Sequence, residues 1–380
     1  MAGIGNSARS AGVALAILGI LLAGVRLADA SAPDSPSEPA QSSRIINGKV
    51  TSISDWPWQV GLLYGGSGSA EPATARYFCS GSLIAPDLVV TAGHCVADLR
   101  PNEVKGLTVV AGRTFLNRTS TGELLPVSRA IMPLDSNGQR RYRSRGGAAA
   151  WDVALLKLTS PSASPPIAIA GASETTSWQP GRLVQTTGWG YTNAANPRVS
   201  NRLRVARQVI LTASVCRRDQ GNVYETKTMI CIGGPEGGSS TCSGDSGGPM
   251  VSPVGDGWRL VGLTSFGDLF CSGNVASVDN RTAGNAVRNW IREKAIQVSG
   301  YDPVGEGGEI GPLPRWCRVP GLQGRTKASA RAALRAAGCS LGKVHSDYGL
   351  WGREGRVAFS SLPKGWLAPL GFGIRVWLGS

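Results

Sequence analysis

The chain has 380 residues, enough for about two domains of ordinary size, and 42% of them are hydrophobic, which suits a packed core and excludes a disordered chain. The formal net charge is +14, yet no RNA-binding aromatic motif accompanies the basic residues, so nucleic acid is not an expected partner. The functional reading of the charge is attraction to an anionic polymer such as cell-wall or envelope material; the plain reading is a solvated basic surface.

Residues 1–30 read as a signal peptide. Arg9 supplies a weak positive start, Ala11 to Val25 an apolar run, and Ala28-Asp-Ala30 a small-x-small cleavage site. An uncleaved anchor is the other reading, although Gly19 and Gly24 break a run already short for a spanning helix. Residues 31–44 are Ser, Pro, Ala and acidic residues ending in Arg44, a flexible propeptide composition.

From Ile45 onward, short apolar or β-branched runs alternate with Gly, Pro and Ser. Gln59 to Tyr64, Ser82 to Ile84, Leu88 to Thr91, Leu107 to Ala111 and Val153 to Leu158 are predicted strands. A basic, glycine-rich stretch over 135–150 precedes Asp152 and is an expected proteolysis site. Predicted strands resume at Leu183 to Thr187, Val205 to Leu211, Met229 to Ile232, Pro249 to Val251 and Leu260 to Ser265, and a helix over 283–296 closes the segment. A Gly/Pro/acidic linker is expected over 298–315. Beyond it come a helix over Ala328 to Gly338 and strands at Leu341 to Val344, Val357 to Ser360 and Ile374 to Leu378.

The chemistry centres on Thr241-Cys-Ser-Gly-Asp-Ser-Gly-Gly-Pro249. Glycines at 244 and 247 permit a tight turn, and such a turn can aim consecutive backbone N–H groups at one point, as an oxyanion hole requires. Ser246 would lie over that point as a nucleophile, in need of a base held by a third group. The chain has two histidines, His94 and His345, and His345 falls in the C-terminal segment. A base from the same domain is therefore His94, in Val90-Thr-Ala-Gly-His-Cys95. Asp152 opens an apolar run, and an acid there needs a hydrogen-bond donor such as an imidazole N–H. The order His, Asp, Ser is one of those known for this triad.

These stretches together resemble a chymotrypsin-fold (trypsin-like) serine protease. Arg44-Ile-Ile-Asn-Gly48, Trp56-Pro-Trp-Gln-Val60, Cys79-Ser-Gly-Ser-Leu83, Thr187-Gly-Trp-Gly190 and Ser265-Phe-Gly267 complete the pattern, in the family's order, from Arg44 to about Lys294. Gly93 and Phe266 depart from the usual alanine and tryptophan. The resemblance implies an all-β fold of two six-stranded Greek-key barrels with a C-terminal helix, a protease domain over 45–297, and endopeptidase chemistry on polypeptides without metal or cofactor. It implies His94, Asp152 and Ser246 as the triad and the N–H groups of Gly244 and Ser246 as the oxyanion donors. It also implies zymogen cleavage after Arg44, with the new ammonium of Ile45 pairing with Asp245, and bridges Cys79–Cys95, Cys216–Cys231 and Cys242–Cys271. Cys317 and Cys339 are left to pair with each other. Eight cysteines in an even count point to an oxidising compartment, secreted or periplasmic.

The resemblance also places Ser240 at the floor of the primary pocket, where trypsin-like members carry an aspartate. With Ser265, Phe266 and Gly267 on one wall and Ala276 narrowing the other, an apolar preference is expected, and then another protease must cut at Arg44. Asp279 or Asp268 would be the source of a displaced acid if the preference were for Arg or Lys. Residues 316–380 resemble a PASTA domain, an α+β module of bacterial cell-wall enzymes, through Val319-Pro-Gly-Leu322, the Ala-rich helix ending at Cys339, and Gly371-Phe-Gly-Ile-Arg-Val-Trp377. That implies a bacterial source, and either peptidoglycan binding or a spacer role. A silent protease-fold wall-binding protein and an esterase are the competing readings; the complete triad opposes the first, and the expected peptide-binding strand at 265–267 the second.

Overall fold

The computed structural model describes residues 48–142, 150–192, 197–233, 240–267, 271, 275–306, 316–346, 353–360, 364, 367–369 and 373–379. The leader and propeptide expected over 1–44, the Arg44–Ile45 bond and Asp268 lie outside them. Among the described residues no helix is long and apolar enough to cross a membrane.

After a short strand β1 (Lys49–Val50) come β2 (Gln59–Leu63), β3 (Tyr77–Ala85), β4 (Leu88–Thr91), β5 (Thr108–Ala111), β6 (Glu123–Ile131) and β7 (Ala154–Leu158). Strands β2 to β7 close into an antiparallel barrel in the order β2-β3-β4-β7-β6-β5. Val60, Leu62, Leu83, Val89, Val109 and Leu156 fill it and are fully buried. The run at Ser82 to Ile84 is the centre of a nine-residue strand, because Tyr77 to Gly81 also pair with β2. Strand β6 was not expected from the sequence. Its exposed and buried positions alternate only weakly, and Pro126 interrupts its apolar run.

The second barrel is built from β8 (Leu183–Gly188), β9 (Arg204–Ile210), β10 (Met229–Gly233), β11 (Pro249–Val254), β12 (Gly257–Phe266) and β13 (Ser277–Asn280), with β1 added beside β9. Pairing of β8 with both β9 and β11 closes it. Strand β13, Ser-Val-Asp-Asn, reads as a turn by composition, yet every residue of it is buried. A helix over Asn285–Ser299 follows, ending on Gly300 in the left-handed region (φ 65°), a conformation glycine adopts without Cβ strain.

The linker expected from residue 298 starts too early. The helix runs to Ser299, Ile169 accepts a bridge from Val304 and donates its N–H to Pro303 O at 2.8 Å, and Arg292 pairs with Asp302. The packed domain therefore continues to about residue 305. Beyond the undescribed residues 307–315, β14 (Trp316–Arg318), a helix over Lys327–Ala336, β15 (Ser340–His345), β16 (Val357–Ser360), β17 (Leu367–Pro369) and β18 (Gly373–Leu378) form a small α+β region. In it β15 runs parallel to β18 and β16 antiparallel to it. Thr326 caps the helix by accepting from Ser329 N–H, and Ala330 and Leu334 bury its inner face. All eight cysteines are bridged: Cys79–Cys95, Cys216–Cys231, Cys242–Cys271 and Cys317–Cys339.

Candidate active site

His94 sits on a single helical turn, Gly93–Cys95, directly after β4, and the Cys79–Cys95 bridge ties that turn to β3. Asp152 stands at the mouth of β7 and is almost fully buried. A bare carboxylate there would be costly, but three donors meet it. The backbone N–H of His94 donates to Oδ1 (2.7 Å), His94 Nδ1 lies 2.8 Å from Oδ2, and Ser265 Oγ donates to Oδ2 at 2.5 Å. With Nδ1–H directed at Asp152, the acceptor lone pair of the neutral ring is on Nε2. Burial pulls the His94 pKa down, but the hydrogen bond and charge of Asp152 outweigh it and leave the imidazole above its usual value. The sulfurs beside His94 belong to the Cys79–Cys95 bridge and so offer no thiolate to a metal.

The turn that carries Ser246 is held from both sides. Ser80 N–H donates to Ser246 O (2.8 Å), Gly247 N–H to Thr264 O (2.7 Å) and Gly248 N–H to Asp245 O (2.8 Å). Gly244 and Gly247 have φ of 93° and 76°, and a Cβ on Gly247 would lie 2.1 Å from Thr91 Oγ1, so only glycine fits. The Tyr77 hydroxyl donates to Gly244 O at 2.7 Å. Among the described residues, the N–H groups of Gly244 and Ser246 have no acceptor in the protein. The fully buried Asp245 accepts from Gly190 N–H (2.9 Å) and Cys242 N–H (3.0 Å), and burial still pushes its carboxyl up to about 6. Gly188 and Gly190 leave the room it occupies, since a Cβ on either would overlap its oxygens.

A cavity of about 210 Å³ opens beside Ser246, between the 241–246 turn and the end of β12 (Thr264 to Gly267), with Cys271 on its rim. Ser240 lies beneath, nearly fully buried, donating to Thr241 O (2.9 Å) and facing Ser277 Oγ at 3.3 Å. Ser277, not Ala276, is the residue opposite Gly267. The pleat explains the one-residue correction, because neighbours on a strand face opposite ways. Ala276 instead packs with Val278 and Cys231, its N–H on Asp219 and its carbonyl accepting from Gln220.

Sequence reasoning missed Tyr77, Thr264, Ser277 and Tyr142. The Tyr142 ring lies 6.5 Å from the His94 ring, and its phenol is pushed up to about 12 by burial, then by Asp152 and Asp98. Nothing in a lone Tyr or Thr signals such a position; strand pairings bring Tyr77, Thr264 and Ser277 to the site, and Tyr142 comes from the loop after β6.

The family model described as trypsin matches residues 45–291. Among solved structures, neuropsin, a serine protease expressed in the limbic system of mouse brain, is 24% identical over 65% of this chain and 98% of its own, with a TM-score of 0.53. That likeness is one of fold, two β-barrels side by side in sequence. The family match covers both barrels and every motif of the cleft, and the chain therefore belongs to the trypsin family of serine endopeptidases.

Proposed function

We propose that the protein hydrolyses peptide bonds through an acyl-enzyme on Ser246. His94 Nε2 takes the Ser246 proton as Oγ attacks the carbonyl. Asp152 holds the ring tautomer and stabilises the imidazolium. The N–H groups of Gly244 and Ser246 receive the oxyanion, and His94 then protonates the leaving amine. Water repeats the cycle on the acyl-enzyme. The observation that carries this reading is the fully satisfied Asp152: two of its three hydrogen bonds come from His94 and hold the ring by Nδ1, which leaves Nε2 for Ser246.

Maturation after Arg44 fits the same reading. Asp245 is buried on two backbone N–H groups with no cation among the described residues, and an ammonium at Ile45 would supply one. Four disulfides support export to an oxidising compartment, secreted or periplasmic. Residues 316–380, PASTA-like in sequence, carry ten Lys and Arg against two Asp and Glu, and would tether the enzyme to an anionic envelope polymer. Turnover of a peptide library by the chain matured at Ile45, absent in Ser246→Ala, tests the catalytic reading. Turnover that survives in Ser246→Ala would defeat it.

A further inference from the structure

The first barrel carries an open groove that the triad does not use. It runs over the end of β6, from the loop after His94 to the helix at Asn285–Ser299. Its first stretch holds about 410 Å³ between Val96 and Leu99 of that loop, the short helix Pro101–Lys105 and β6. Its second holds about 540 Å³ between β6 and the part of the long helix that shows Trp290, Lys294 and Val298. Arg129, Ile131, Met132 and Leu134 line both stretches and make them one groove.

The floor is apolar and reaches the catalytic turn. Leu134 leaves 55% of its surface in solvent, the most of any large apolar side chain among the described residues. A lone exposed leucine is ordinary, but here Val96, Leu99, Val104 and Ile131 share the groove with it. Met132, a flexible side chain suited to an adaptable surface, joins that floor to the triad. A Cβ on Gly93, the residue before His94, would lie 3.2 Å from Met132 Cε. Gly93 stands where the resembled family carries alanine, and the missing methyl gives the thioether its room. The rim is basic. Lys105 and Arg129 are exposed beside the first stretch, Arg140 adds a third positive charge, and no carboxylate lines it among the described residues. In the second stretch Lys294 is already answered by Glu293.

We propose that this groove docks a segment of the polypeptide substrate outside the scissile stretch, rich in Asp or Glu and in large apolar residues. The acids would meet the rim and the apolar side chains the floor. Residues 31–44 of the chain itself carry acids but no large apolar side chain, so they do not match the floor. The place of the groove favours a substrate. Val96 N–H donates to Gly93 O (3.1 Å) and Leu99 N–H to Val96 O (3.2 Å), so the groove wall and His94 belong to one hydrogen-bonded segment. A polypeptide whose scissile bond meets His94 passes beside it. Docking there would stabilise bound substrate and transition state alike, lowering KM and leaving kcat unchanged. This inference rests on the endopeptidase reading.

The test has two readouts. Binding of a fluorescein-labelled heptapeptide alternating Glu with Leu is measured on Ser246→Ala, which reads the groove without turnover. The same chain with Lys105→Gln and Arg129→Gln, two exposed side chains that keep their length and lose their charge, stands beside it. Control heptapeptides alternate Lys with Leu, and Glu with Ser. The Glu/Leu peptide should bind at least about 10-fold more tightly than either control, and the double change should weaken it at least about 10-fold. In the second readout, the chain matured at Ile45 cleaves a short reporter peptide with and without the Glu/Leu segment joined by a flexible linker. The segment should lower KM about 10-fold at constant kcat. The double change should remove that gain and leave the bare reporter's rate as it was. Equal binding of the three peptides, or binding indifferent to the double change, overturns the inference while the endopeptidase reading stands. A segment that binds but leaves KM unchanged also overturns it, because the occupant is then not the substrate. Charge-dependent binding with no turnover anywhere in a peptide library defeats the nucleophile assignment and keeps the groove.

Discussion

Asp152 at the edge of the first barrel and Asp279 inside the second are both almost fully buried, yet only one is satisfied. Asp152 receives donors on both oxygens, from His94 and Ser265, while Asp279 receives none. Asp245 lies between them in this respect, with two backbone donors and no described cation. Burial alone therefore does not mark a working acid. A carboxylate saturated by its own chain stays charged and can orient another residue; one left bare is pushed by burial toward its protonated form.

The sharpest way to break that contrast is to remove the charge of Asp152. Asp152→Asn should keep the fold and lower kcat about 10,000-fold, because the ring loses its enforced tautomer. Its pH profile should move as well. His94 acts as a base only when neutral, and Asp152 holds its pKa above the usual value against the opposing pull of burial. In the variant, the acid limb of residual kcat/KM should shift to lower pH; a limb that stays in place would mean another group sets it.

Next in size is a stability effect at Asp279. Burial raises its folded-state pKa from 3.8 to about 8. An acid whose folded pKa lies above its unfolded value holds its proton more tightly when folded. The fold is then favoured at low pH, and this contribution is lost as pH rises from about 4 to about 8. Asp279→Asn removes the dependence. Its Tm advantage over the unmodified chain should widen from pH 4 to pH 8 and level off above, and a constant difference would contradict the bare-carboxylate assignment.

A smaller effect follows for maturation. With uncharged Ser240 beneath the cavity, purified precursor should stay intact at Arg44 until another protease cuts it, as gel mobility and N-terminal sequencing would report. Self-processing that stops in Ser246→Ala would mean that the pocket accepts arginine. The smallest effect belongs to the C-terminal region. Removing the Cys317–Cys339 bridge by a double Cys→Ser change should cost that region about 2–4 kcal/mol. The kcat/KM on short peptides should stay within about twofold, since the bridge lies remote in sequence from every cleft residue.

The sequence made the cleft legible because each of its parts needs particular residue types at close spacing. Gly244 and Gly247 bracket the nucleophile, an acid opens an apolar strand at 152, and one histidine stands beside a cysteine. It made most strands legible for the same reason, as apolar runs between turn formers. Strand β13 was not legible, since Ser277, Asp279 and Asn280 are polar residues inside a sheet. The wall was thus misplaced by one residue, onto Ala276 in place of Ser277, and one residue on a strand is the difference between two faces. Tyr142 and Tyr77 reach the site only through tertiary folding.

The most direct test of the central claim is the intact mass of the Ile45-matured protein after reaction with phenylmethanesulfonyl fluoride. A single adduct, mapped to Ser246, absent from Ser246→Ala and much slower to form in Asp152→Asn, is the predicted result. An unmodified protein that still cleaves peptides, or an adduct that persists in Ser246→Ala, would contradict the triad.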